Sequence, residues 1–116
     1  MAQITLNIQT LDWTMGETVG LRLMLKKDCK ARIAWGDGKV QVLTGKQEPT
    51  SEKLAWVEAG HAYPEKGVNY TITIESEEED AIIGFDGCGM FEVKTLDVIL
   101  TECPNLRILR YSGYGE

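Results

Sequence analysis

Apolar and polar residues alternate through most of this chain, and the alternation has the two-residue period of strands with one face buried. Ile4, Leu6 and Ile8 fall on one face of the first such segment, and Gln3, Thr5 and Asn7 on the other. Val19, Leu21, Leu23 and Leu25 predict a second strand with Arg22 and Lys26 opposite, and Ala31, Ile33 and Trp35 a third. Gly36-Asp37-Gly38 then predicts a tight reversal, because glycine takes positive φ without a Cβ clash. Val40 and Val42, alternating with Lys39, Gln41 and Leu43, complete a hairpin.

Residues 44 to 53 are polar, contain Pro49 and carry no periodicity, so they read as the longest loop. Leu54 to Glu58 predicts a short edge strand ending at Ala59-Gly60. Tyr70, Ile72 and Ile74 point inward from the strongest strand, with β-branched threonines between them. Ala81 to Phe85 predicts its hairpin partner across the acidic run Glu75 to Asp80. Over 93 to 98 a strand is expected, but Val93, Leu96, Leu100 and Cys103 also recur at helical spacing, so a helix over 92 to 102 stays open. Pro104 ends either element, and Leu106 to Tyr111 predicts a last strand before a Gly-rich tail.

A chain of 116 residues is long enough to bury a core without a metal or disulfide staple. The formal net charge of -6 argues against a phosphate-backbone partner, which needs clustered Lys and Arg. No apolar run approaches the length of a membrane span, so no membrane insertion is expected. The start, Met1 to Ile8, lacks the basic and continuously apolar pattern of a secretion signal; either the protein is cytoplasmic or a signal has been removed. Cys29, Cys88 and Cys103 lack the Cys-x-x-Cys spacing of a zinc or redox site, and buried free thiols are expected.

Three motifs in order carry a resemblance: Trp35-Gly36-Asp37-Gly38, then His61-x-Tyr63, then Gly67-x-Asn-Tyr70-Thr-Ile-Thr-Ile74. Together they resemble the polycystic kidney disease (PKD) repeat over roughly residues 18 to 76. The resemblance implies an immunoglobulin-like β-sandwich, usually extracellular or at a cell surface, which spaces other domains or contacts proteins or polysaccharides. Thr95-Leu-Asp-Val98 followed by Cys103-Pro-Asn-Leu-Arg-Ile-Leu-Arg-Tyr-Ser-Gly113 is similar to one turn of a leucine-rich repeat. A solenoid needs about three turns to bury its own face, so a lone turn must dock on the sandwich or begin a longer array. Bacterial surface proteins combine such units. The expected fold is therefore all-β, a PKD-like sandwich over 1-91 with a leucine-rich-repeat-like extension over 92-116 packed on it as a single structural unit.

Catalytic chemistry is not expected. A hydrolase needs a nucleophile and an oriented base, yet His61 is the single histidine and no serine sits in a Gly-x-Ser-x-Gly context. Asp37 reads as a turn residue, and His61 as bonding groups of the 36 to 38 turn with Tyr63 packed beneath; a hydrolase site near His61 is the alternative. Gly84 to Gly89 is glycine-rich, but with no βαβ unit around it a turn or bulge suffices. Calcium loops space their oxygens with turns and glycine, so the acidic run reads as a solvated hairpin tip. No cofactor or metal is expected. Tyr111 and Tyr114, in a Gly-rich end with little core to join, form a possible interaction surface for protein or polysaccharide. The expected function is a non-enzymatic binding or spacer module, with a purely structural intracellular β-domain as the alternative.

Overall fold

A computed structural model describes residues 2–10, 18–46, 56–65, 67–87, 93–104 and 106–111. Every regular element among them is a strand: β1 (Ala2–Thr10), β2 (Thr18–Leu25), β3 (Lys30–Ala34), β4 (Val40–Thr44), β5 (Trp56–Ala62), β6 (Asn69–Ser76), β7 (Ile82–Gly87), β8 (Val93–Thr101) and β9 (Ile108–Tyr111). They form two sheets, one ordered β4-β3-β6-β1-β8 and the other β5-β2-β7-β9, in a sandwich-like arrangement. All pairings are antiparallel except β7 with β9.

The alternation read from the sequence sets which face is inside. Ile4, Leu6 and Ile8 of β1, Ile72 and Ile74 of β6, and Ile33 of β3 are fully buried, and they meet Leu21, Leu23 and Leu25 of β2 and Phe85 of β7 in one core. Burying each such side chain contributes about 1.5–3 kcal/mol. Ile82 and Phe85 lie three apart and cannot share a face of a regular strand. The register between β2 and β7 shifts at Met24/Leu25, and both side chains become buried.

Several expectations are corrected. β6 and β7 are not a hairpin: β6 lies between β3 and β1, while β7 lies between β2 and β9 in the other sheet. The acidic run's remaining residues, Glu77 to Asp80, are therefore part of a crossover from one sheet to the other and not a hairpin tip, because β1 already occupies the free edge of β6 in full register from Ala2↔Ser76 to Gln9↔Asn69. The edge strand expected to end at Ala59-Gly60 runs through both to Ala62, since β2 pairs with it continuously from Thr18↔Ala62 to Met24↔Trp56. Gly84 lies in β7 beside the bulge expected there: Met24 pairs with Gly84 and Leu25 with Ile82, leaving Ile83 as the extra residue. A Cβ on Gly84 would stand 3.1 Å from the ring of Trp56, so the glycine lets that indole lie flat on the sheet.

Residues 93 to 101 are a strand and not a helix. Their helical spacing has a structural source: the register with β1 passes from Asn7↔Asp97 to Ile8↔Thr95, leaving Leu96 as an extra residue. Such a bulge breaks a two-residue period into a mixture of threes and fours. Val98, opposite Leu6, packs against the core, whereas Leu100, opposite Ile4, is exposed. β9 adds to the second sheet beside β7, and Cys103 and Leu106 pack against the core between them. Residues 47–55, which hold most of the expected long loop, lie outside the described residues.

Candidate functional site

The Trp35 to Gly38 turn joins β3 to β4 at the edge of the five-stranded sheet, and β5 is the facing edge of the four-stranded one. The backbone N–H of Trp35 donates to the carbonyl of Lys39 at 3.0 Å and closes the turn. Gly36 and Gly38 take φ of 93° and 95°. Only glycine adopts such values without strain. Asp37 then holds the turn from within, its Oδ1 accepting from the backbone N–H of Lys39 at 3.2 Å.

The second carboxylate oxygen reaches the other sheet. His61 Nε2 of β5 lies 2.7 Å from Asp37 Oδ2, with both side chains largely buried. An ionised carboxylate only accepts, so Nε2 carries the proton of this bond. The His61 ring stacks on Trp35 with centroids 5.1 Å apart and meets Tyr63 edge-on at 4.8 Å. Tyr63 stacks in turn on Tyr70, at 4.5 Å. Its hydroxyl donates to the Trp35 carbonyl at 2.7 Å, and the Trp35 indole N–H donates to Gln41 Oε1 at 2.9 Å. Trp35, Asp37, His61, Tyr63 and Tyr70 thus form one cluster that fastens the β4 margin of one sheet to the β5 margin of the other.

Burial acts to raise the Asp37 carboxyl pKa, but the hydrogen bonds from His61 and the Lys39 amide outweigh it and hold the group below its ordinary range. Burial, with the Asp37 and Tyr70 charges adding to it, drives the Tyr63 hydroxyl far above its ordinary value, so it stays a neutral donor. Among the described residues the hydrogen-bond partner of His61 is Asp37, and the Tyr63 hydroxyl beside it is committed to the Trp35 carbonyl. No group of three or more His, Cys, Asp or Glu side chains among the described residues is placed to hold a metal ion.

A groove of about 370 Å³ is lined by the β2–β3 turn at Asp28 and Cys29, by Arg32 and Val42, and by the end of β6 with Glu77 and Glu78 after it. On its wall the Cys29 thiol donates to Glu78 Oε2 at 3.0 Å. Burial, and then the Glu78 carboxylate, push this thiol up to about 11, which keeps it protonated and unreactive at neutral pH. Cys29 and Cys103 are free thiols, and Cys88 lies outside the described residues.

Of the residues singled out by sequence, the structure brings together Trp35 to Gly38, His61, Tyr63 and Tyr70. Tyr114 lies outside the described residues, and of Tyr111 only the backbone, the end of β9, is described. Sequence reading missed Gln41, whose signal was its place diagonal to Trp35 across the hairpin. It also missed the row Thr71 Oγ1 to Asn7 Oδ1 (2.8 Å) and Asn7 Nδ2 to Asp97 Oδ1 (2.7 Å), and the Arg22–Asp86 ion pair under the Trp56 ring. These join strands that no local pattern could have paired.

Fold and cluster define an all-β protein of two packed sheets whose facing edges are clasped by a histidine–aspartate pair. No protein-family model, no curated protein and no solved structure matches the chain.

Two measurements probe the cluster. His61→Ala leaves Asp37 mostly buried without its hydrogen-bond donor and is expected to lower unfolding free energy by about 2 kcal/mol in urea titration. A group whose folded pKa is depressed stabilises the fold above its unfolded pKa, and that contribution disappears as pH falls through the lower folded value. Asp37 should therefore contribute fully at neutral pH and lose its contribution in acid below the ordinary aspartate range. Asp37→Asn should flatten the acid limb of the stability profile; an unaltered limb would show that the clasp carries no linkage. Tyr63→Phe removes the donor to the buried Trp35 carbonyl and should cost about 1.5 kcal/mol, read as a lower urea midpoint at constant slope.

Proposed function

We propose that this chain is a non-enzymatic binding or spacer module of a bacterial surface protein, an immunoglobulin-like sandwich of the PKD type with a leucine-rich-repeat-like C-terminal turn. The observation that carries the reading is the use made of the Trp35 to Gly38 turn and His61-x-Tyr63. Two of the hydrogen bonds there, His61 to Asp37 and Tyr63 to Trp35, hold one edge of the sandwich to the other, and two more, Trp35 to Gln41 and Lys39 to Asp37, brace the turn itself. The pairing of β3 with β6 fits an immunoglobulin-like arrangement. One departure accompanies it: β1, and not the strand following β6, stands beside β6, whereas the immunoglobulin order places the next strand there.

The partner in this reading is a protein or a polysaccharide, met at the sandwich edges or the tyrosine-bearing end, in an extracellular setting. Glycan and protein arrays probed with the labelled chain test it. Saturable binding that survives His61→Ala, without chemical change to the captured ligand, supports the binding module. Silence across both arrays favours the spacer, and turnover of a captured glycan would overturn the non-enzymatic reading.

A further inference from the structure

The five-stranded sheet ends in β4 on one side and in β8, with its bulge at Leu96, on the other, and both edges carry exposed apolar side chains. Edge strands of soluble proteins commonly carry charges that discourage pairing with another chain. Here the outward-facing residues of the β4 edge are Val40 and Val42, 45% and 58% exposed, and the β8 edge presents Ile99, 50% exposed.

The register across the sheet puts these residues at the same height. Ile99 stands opposite Thr5, Thr5 opposite Thr73, Thr73 opposite Ala34, and Ala34 opposite Val40. The next row runs Thr101, Gln3, Glu75, Arg32 and Val42. Four antiparallel steps separate the edges, so β4 and β8 run in the same direction. A second copy in the same orientation can therefore set its β4 beside β8 of the first as a parallel pair, placing Ile99 against Val40 and Val42. The charges agree with that match. Exposed Lys39 and Lys46 bracket β4, while exposed Asp97 lies within β8 and Glu102 follows it.

We propose that the chain associates with further copies of itself head to tail, β8 of one copy joining β4 of the next and extending the five-stranded sheet. Two different surfaces meet in such a contact, so it does not close on itself as a two-fold dimer and grows by addition. Among the described residues no strand pairs with the outer edge of β4 or of β8, and such a contact pairs the backbone donors and acceptors of both.

Sedimentation of the full chain over a concentration series tests this, with circular dichroism verifying that each variant is folded. The weight-average mass is expected to rise with concentration beyond that of a dimer and to fall back as salt screens the Lys39/Lys46 and Asp97/Glu102 charges. Val42→Lys and Ile99→Lys change exposed positions and should each weaken association roughly tenfold or more, the equivalent of about 1.4 kcal/mol. Each variant keeps one competent edge: β8 in Val42→Lys, β4 in Ile99→Lys. An equimolar mixture should therefore regain association and stop at a dimer. A parent chain that stays monomeric throughout, either variant associating as the parent does, or a mixture that remains monomeric would each overturn the proposal.

Discussion

Trp35→Ala is expected to be the most damaging single substitution in the described part of the chain. Trp35 is fully buried at the end of β3, touching the rings of His61 and Tyr63 and bonding Gln41 through its indole N–H. Removing an aromatic side chain from a core costs about 3–5 kcal/mol, because the lost transfer energy is joined by a cavity that the surroundings fill only in part. Lost ring contacts add about 0.5–1.5 kcal/mol for each well-formed pair. A domain of this size has a total stability of about 5–15 kcal/mol, so the variant should be partly unfolded at room temperature or close to it. Urea denaturation followed by circular dichroism measures the loss. Trp35→Phe, which keeps a ring but not the N–H donor, should recover most of it. A double-mutant cycle with His61→Ala should give a coupling of about 1 kcal/mol if the stacked pair contributes as its geometry indicates. Additive effects would reduce the clasp to two independent core positions.

The second large effect is expected at Gly36. Its φ of 93° lies in the region that L-residues avoid, and a Cβ placed there would stand 2.6 Å from the backbone carbonyl oxygen of Thr71 in β6. Backbone cannot rotate away as a side chain can, so Gly36→Ala must either flip the turn or push β3 from β6. Conformational strain alone costs about 1–3 kcal/mol, and the clash adds to it. Gly38 is the internal control: φ is 95°, but nothing lies within 4 Å of its missing Cβ. Gly38→Ala should therefore show the strain without the clash, about 1–2 kcal/mol. Thermal unfolding of the two alanine variants separates the contributions. Equal losses would mean that the Thr71 contact yields easily and that the turn is held by φ alone.

Much of the clasp could be read from local chemistry. Glycine on both sides of Asp37 announced a positive-φ turn, and the single histidine, followed two residues later by Tyr63, was expected to serve that turn as a hydrogen-bond partner. Both expectations rest on side chains whose roles depend little on distant context. The strand partners were less legible. The run Glu75 to Asp80 has the length and polarity of a hairpin loop, but whether it turns back or crosses over depends on who already lies beside β6. That neighbour is β1, more than sixty positions earlier in the chain. The strand over 93 to 98 was legible, and the bulge at Leu96 kept a helix open beside it, since it gives an edge strand the apolar spacing of a helix.

The amino-acid sequence by itself determined which residues face inward along β1, β2, β3 and β6, and where the Trp35 to Gly38 turn falls. Side-chain alternation and glycine's conformational range are properties of neighbouring residues. Only the tertiary structure decided that β6 and β7 belong to different sheets, that β8 and β9 complete one sheet each, and that Asp37 meets His61 across the sandwich edge. Those outcomes depend on competition between strand edges far apart in sequence, and a two-residue period carries no label for the strand it will pair with.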